Sequence, residues 1–526
     1  MKKLSVVLLL LFITVSQVFA DLEIRLLGDF NFSLDRIIKG YPGVTANFEF
    51  SPLTVFEKDN IFFGVGGSYS LIKSKEVINV PLLDGQFSIG YNHKIIDRLS
   101  VGGEGIFGAW SAPKDKNQDF DGMSGLLFGL RGFANYHLYP ELTAGAFVGY
   151  KNYYTRPEPF TQRFELGLLL KYNFTRGIFG TSAVVPVEKE EPQQGLLFPV
   201  FYSRYSDHSF GSMTFVNNEP NAIQDVEVTV FIEQFMTNPD VSARFDFVEK
   251  GEEFSVDLTA FLNESILNTL IPQKADAMVT VTYRSLGKLM TTVQNVELTA
   301  LSRNSMTWQD DRAAAAFISG KDASAAAFAR KVKSIIQTEI KNNELKNLYY
   351  GAAIFGALKA YGLNYVVDPS SAFTDNIGTA KIDFLKFAYQ SLQYRGGDCD
   401  DLTILNCSLF ESLGIDTAMV TVPGHIFMAF DSGLDESQVK LISDGIYILQ
   451  DEKVWIPVEI TLCQDNFALA RKTAINEWKK FVNERELIPV HEAWKEYPAV
   501  GIPESDVAIE IPSKTEIIEG LNKNKY

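Results

Sequence analysis

The chain has 526 residues, enough for three or four domains at about 150 residues each. Apolar residues make up 46% and charged residues 21%, which excludes disorder or coiled coil as the dominant state. The net charge of −17 argues against nucleic acid as a partner, because phosphate neutralisation needs clustered cations. Three cysteines exclude a disulfide-built scaffold.

Lys2-Lys3, the apolar run Leu4 to Val15 and the small residue ending Val18-Phe19-Ala20 read as a signal peptide over 1–20. Asp21 is then the first mature residue. About 12 apolar residues are too few to cross roughly 30 Å of hydrocarbon as a helix. No Cys follows the run to take a lipid, and no later stretch is long and apolar enough for a helical span.

Residues 21–174 alternate with period two rather than 3.6. Leu22, Ile24, Leu26, Phe30 and Phe32 are apolar, while Glu23, Arg25, Asp29 and Asn31 fall between them. The alternation recurs through Val44-Ala46-Phe48-Phe50 and later runs to Phe164–Phe174, giving eight segments of the length a tilted transmembrane strand needs. Short connections (KIIDR, YPE) alternate with long polar ones (IKSKEVINVPLLDG, WSAPKDKNQDFDG, KNYYTRPEPFTQ), and SPLTVFEKDN breaks the rule by its length. An eight-stranded antiparallel β-barrel in the outer membrane is expected, its short turns periplasmic and its partner the membrane lipid. A soluble eight-stranded barrel or sandwich is the alternative. The block resembles small outer-membrane barrels, whose last strand often ends in Phe, here Phe174.

A linker over 175–195 contains the Pro/Glu-rich VVPVEKEEPQQG. With an even strand number both barrel ends lie on one side, so the later domains should hang in the periplasm. Residues 196–303 alternate in GSMTFVN, VEVTVFIEQF and AMVTVTYRSL between turn signals, which predicts a β-sandwich; it resembles immunoglobulin-like bacterial spacer domains. His208 in this stretch is given no role.

The stretch from about 304 carries the chemistry. Phe328, Val332, Ile335, Ile336 and Ile340 recur at helical spacing, and a second helix runs from Leu345 through Ala360. IDFLKFAYQSLQY then leads into Arg395-Gly396-Gly397-Asp398-Cys399-Asp400-Asp401, where Cys399 opens a helix that Gly414 stops. Backbone N–H groups at a helix start favour thiolate, but the neighbouring aspartates oppose it, so a base is required. His425 in GHIFMAFD lies on a strand, and Trp455 and Glu459 lie on another in VWIPVEIT. A Cys at a helix start, a His on a strand and a carboxylate on the next strand can converge as nucleophile, base and orienter.

With these motifs in this order, residues from about 310 to 465 resemble the transglutaminase-like cysteine peptidase superfamily. Its members carry G-x-C at a helix start, a G-H strand and a W-x-x-x-D strand. The resemblance implies an α+β transglutaminase/papain-like domain over 304–470, with Cys399 as nucleophile, His425 as general base and Glu459 as the His-orienting carboxylate. Glu459 stands where the family has Asp, and Asp431 is a rival orienter. The backbone N–H of Cys399 is the obvious oxyanion donor, with Gln393 or Tyr394 as a second. Cys407 and Cys463 are read as packed thiols, and no cofactor or metal is expected. Residues 471–526 form a C-terminal helix and tail, in which His491 has no assigned role. The implied activity is amide hydrolysis or acyl transfer on a protein or peptide of the envelope; the alternative is an inactive fold that binds an envelope protein or peptidoglycan peptide.

Overall fold

The computed structural model describes residues 21–33, 38–56, 59–74, 80–116, 120–155, 159–174, 184–187, 195–367 and 381–524. The signal peptide read at 1–20 lies outside them.

The period-two segments form β1 (Asp21–Ser33), β2 (Ile38–Phe56), β3 (Asp59–Ser74), β4 (Val80–Ile96), β5 (Leu99–Ala112), β6 (Met123–His137), β7 (Leu142–Tyr154) and β8 (Pro159–Asn173). Neighbours pair antiparallel in chain order, and β1 pairs with β8 to close the barrel. Alternation decides which side chains face out. Leu130 and Leu168 are 68% and 72% exposed on the outer wall, whereas Arg25, Glu49, Glu104 and Arg131 are buried inside. An apolar exterior around a charged interior inverts the soluble pattern and is the arrangement of an outer-membrane barrel.

Charges shut away from water need partners. Arg25 bonds Glu49 and Glu104, each at 2.5 Å, and Arg131 bonds Glu104 at 2.5 Å and Glu165 at 3.0 Å. Lys151 continues the chain to Glu165 at 3.3 Å and Asp84 at 3.5 Å. These side chains fill the interior, as expected of so narrow a barrel.

The SPLTVFEKDN segment, read as an overlong turn, is mostly strand: β2 runs to Phe56 and β3 resumes at Asp59. Three close connections thus gather at one end of the barrel, and the later part of the chain docks there. Lys94 Nζ donates to the Pro220 carbonyl and to Asn221 Oδ1, both at 2.6 Å. Arg98 donates to the Leu286 carbonyl at 2.9 Å, and Lys288 pairs with Glu141 at 2.6 Å.

The second module has two sheets around one core. β10 (Leu196–Leu197), β16 (Lys288–Ala300), β15 (Gln273–Ser285), β12 (Ile223–Ile232) and β13 (Asp240–Val248) form one, in that order. β14 (Glu253–Leu258), β11 (Gly211–Asn217) and β9 (Val184–Val187) form the other, so part of the segment read as linker supplies an edge strand. Val228 and Val230 of β12, Val279 and Val281 of β15, and Phe215 of β11 meet between the sheets.

The third unit begins with β17 (Ser305–Thr307), α1 (Ala323–Ile336), α2 (Lys346–Tyr361), β18 (Asn364–Tyr365), β19 (Ile382–Phe384), α3 (Ala388–Tyr394), β20 (Gly396–Gly397) and α4 (Cys399–Glu411). Its central sheet has the order β23 (Ile448–Gln450), β24 (Lys453–Val458), β22 (His425–Asp431), β21 (Thr417–Val422), β25 (Glu486–Pro489). Ile426, Met428 and Phe430 of β22 face the core built with α1, α2 and α4. The alternate residues Phe427 and Ala429 face α5 (Phe467–Lys480) through Ala474 and Ile475. After α6 (Val490–Ala493), the tail ends in α7 (Lys514–Lys523), which packs on α2 where Gly356 and Gly520 let the backbones touch; a Cβ on Gly356 would stand 2.7 Å from the Gly520 carbonyl carbon.

Candidate active site

Three elements of the third unit bring Cys399, His425 and Glu459 together at one end of the central sheet, where its middle strand β22 begins. Gly397 permits the tight entry into α4, because a Cβ there would lie 2.4 Å from Asp401 Cβ. Cys399 is the first residue of α4 and is 6% exposed. Its sulfur lies close enough to the backbone N–H groups of Ile426 and Asp400 for both to favour the thiolate. That contact sets the thiol against the start of β22, where His425 stands. Pro423 and Gly424, the latter at φ +72°, make the two-residue turn that pairs Val422 with His425.

His425 Nε2 lies 2.7 Å from Glu459 Oε2. Glu459 is 2% exposed, and its other oxygen accepts from the backbone N–H and the hydroxyl of Thr461, at 3.0 and 2.5 Å. The methylene by which Glu exceeds Asp is thus absorbed, since the carboxylate is gripped from behind while it reaches the imidazole. With Nε2 engaged, Nδ1 is the ring nitrogen left to take a proton. Asp431 is six strand residues away, about 20 Å at the usual rise. There it accepts from the Gly433 N–H and faces Lys453 at 3.6 Å, so it does not orient His425.

Electrostatics at the site pull in opposite directions. Burial pushes the Cys399 thiol well up, and Asp400 and Asp398 push the same way; the two backbone N–H groups oppose them. Burial disfavours the His425 imidazolium, but the hydrogen bond and charge of Glu459, backed by Glu477, raise its pKa above the ordinary value. Asp401 is pushed up to about 6 by burial and Asp398, against the pull of Lys386. Asp400 is buried and held well above the carboxylate range by burial and Asp398. Asp398 Oδ1 is buried without a hydrogen-bond partner.

Two residues at this site escape sequence reasoning. Tyr365 on β18 pairs in register with Gly397, and its phenol is pushed up by burial and by the negative charge of Cys399, Asp398 and Glu459. It stands near Cys399, whereas Gln393 and Tyr394 are exposed at the end of α3. Glu477 on α5 brings Oε2 to 3.9 Å from His425 Nε2. Its signal is an acidic residue at i+7 from Ala470 and i+3 from Ala474, on the buried face of an amphipathic helix.

The remaining residues are structural. Cys407 and Cys463 are buried free thiols, and Cys463 donates to the Leu363 carbonyl at 3.4 Å. His491 pairs with Glu411 at 2.9 Å and stacks on Trp494. Trp455 is buried in the sheet core under α5. Among the described residues two groups place ligand atoms within 4.8 Å of one another: Asp398, Asp400 and Asp401, and His425, Glu459 and Glu477.

No protein-family model and no curated protein matches the chain. Among solved structures it is similar to Neisserial surface protein A, at 11% identity over 30% of this chain and 97% of that one, with a TM-score of 0.24. It is similar to Ail, the attachment invasion locus protein of Yersinia pestis, at 10% identity over 30% of this chain and 100% of that one, with a TM-score of 0.22. The translocator domain of the autotransporter NalP from Neisseria meningitidis matches at 10% identity over 54% of this chain and 88% of that one, with a TM-score of 0.18.

Proposed function

We propose that the chain is an outer-membrane-anchored, periplasm-facing cysteine peptidase or acyltransferase of transglutaminase-like type, with an immunoglobulin-like spacer between anchor and enzyme. The anchor is supported by the closed barrel with its apolar wall and charged interior. The periplasmic position is supported by docking of the later modules on the barrel end that carries the close connections. The observation that carries the activity is the 2.7 Å contact between His425 and Glu459, beside a thiol held at a helix start against the residue after His425.

In the proposed reaction Cys399 gives its proton to His425 Nδ1 and its sulfur attacks the amide carbon. The oxyanion is met by the Cys399 backbone N–H, with the Tyr365 hydroxyl as the second donor in place of Gln393 or Tyr394. His425 returns the proton to the leaving amine as the C–N bond breaks, leaving a thioester. Water or an amine, deprotonated by His425, attacks the thioester and frees the thiol. Glu459 holds the ring and supports the imidazolium formed in both halves. Hydrolysis is the favoured outcome.

A second reading, an inactive binding fold, is favoured by the burial and the aspartates that hold the Cys399 thiol neutral. An amide-mimic, thiol-directed electrophile applied to the full chain in detergent separates the two. The expected result is a single covalent adduct that Cys399→Ala abolishes; no adduct on the native chain favours the binding fold.

A further inference from the structure

We propose that His425, Glu459 and Glu477 form a binding site for a divalent transition-metal ion of the zinc class, and that the ion silences the thiol site. Three elements supply the ligands: the start of β22, the residue after β24 and the last turn of α5. His425 Nε2 is 2.7 Å from Glu459 Oε2 and 3.9 Å from Glu477 Oε2, and one ligand atom from each residue lies within 4.8 Å of the others. Three ligands at about 2.0–2.1 Å from one zinc ion stand roughly 3.3 Å apart, so the two distances from His425 need to change by about 0.6 Å each and the distance between the carboxylates by at most about 1.5 Å.

Glu477 supplies an independent sign. Its Oε2 is fully buried and has no hydrogen-bond partner, although it points toward the imidazole. A carboxylate oxygen in that position is costly unless a cation joins it. Glu459 beside it adds a second negative charge, which the His425 ring and, on the same helix, Lys480 oppose. Thr461 fixes Glu459, and packing of Ala470 and Ala474 fixes the helix that carries Glu477. The side chains of His425 and Glu477 are 23% and 32% exposed, which leaves one side open for entry and for a water ligand. An imidazole with two carboxylates suits zinc and its neighbours, whereas calcium prefers an all-oxygen cage.

The silencing rests on Cys399 being the nucleophile. An ion takes the Nε2 lone pair, so the single proton of the neutral ring, shared with Glu459 in the metal-free site, moves to Nδ1. That nitrogen then has no lone pair for the Cys399 proton, and the base is removed without blocking the thiol itself.

The site is tested on the full chain in detergent, stripped with EDTA and titrated with ZnCl₂ by calorimetry in the Cys399→Ala background, which removes the competing thiol. The expected result is one tight zinc per chain, weakened at least tenfold by Glu477→Gln. No tight step, or equal binding by Cys399→Ala and the Cys399→Ala/Glu477→Gln double variant, overturns the site whatever the enzyme does. In the chain with Cys399 intact, zinc should slow electrophile labelling at least tenfold and EDTA should restore it. The ratio of metal-free to zinc rates should fall toward one in Glu477→Gln. An unchanged ratio there places the inhibition on the thiol and overturns the switch. Failure of the metal-free chain to label refutes the nucleophile, and the calorimetry still decides the ion.

Discussion

The barrel interior and the pocket around Cys399 both bury charge, but they treat it differently. Inside the barrel, Glu104 is shared by Arg25 and Arg131, and Glu165 by Arg131 and Lys151, so these two acids each have two cations in contact. Around Cys399, Asp398, Asp400 and Asp401 crowd together with Lys386 as the cation on Asp401, and one Asp398 oxygen has no partner. A compensated network holds a shape. Uncompensated charge beside a buried thiol and an imidazole raises the energy of the resting site and marks it as the place where chemistry or ligand binding is to be sought.

The largest effect should come from unbalancing the barrel. Glu104→Gln leaves Arg25 and Arg131 short of a counter-charge and should cost about 3–5 kcal/mol in urea unfolding of the detergent-folded chain. Retention of full stability would show that water or lipid headgroups reach the interior. Cys407→Ala should cost about 1–2 kcal/mol by leaving a small hole in the core beneath α4, without changing electrophile labelling.

Relieving the acidic pocket should work the other way. Asp400→Asn keeps an acceptor for the Asp401 N–H and removes one of the crowded charges, so at pH 8 the melting temperature of the third unit should rise by about 2–4 °C. A fall would mean that the aspartates are compensated after all. The last effect is a pH slope. Asp311 is pushed up to about 6 by burial, Glu486 and Asp310, against the Thr421 hydrogen bond. Its folded pKa exceeds the unfolded value of about 3.9, so the folded state binds the proton more readily. The contribution is fully present below that lower value and fades as pH rises through about 6. Melting scans from pH 4 to 7 should therefore show a decline that Asp311→Asn makes shallower.

Legibility in the sequence followed how local each signal was. The eight barrel strands were readable because period two sorts Leu26 outward and Arg25 inward from neighbouring positions. The β2–β3 turn was misjudged because its flanking residues remain in strand pairing past the apolar alternation. The meeting of His425 with Glu459 was readable from the order of the motifs, and the choice of Glu459 over Asp431 needed only strand geometry. Tyr365 and Glu477 were not, since one sits on a two-residue strand and the other on a helix read as tail. Their contacts come from packing, which no local pattern records.

The account stands or falls on whether His425 activates Cys399. The direct measurement is the second-order labelling rate at pH 7, with the adduct mapped by mass spectrometry, for the native chain, His425→Ala and Glu459→Gln. The prediction is one adduct, on Cys399 and not on Cys407 or Cys463. The rate should fall most in His425→Ala, where thiolate forms only by the thiol's own ionisation, and less in Glu459→Gln, which keeps the shape and loses the charge. Equal rates in all three proteins, or an adduct spread over the three cysteines, would contradict it.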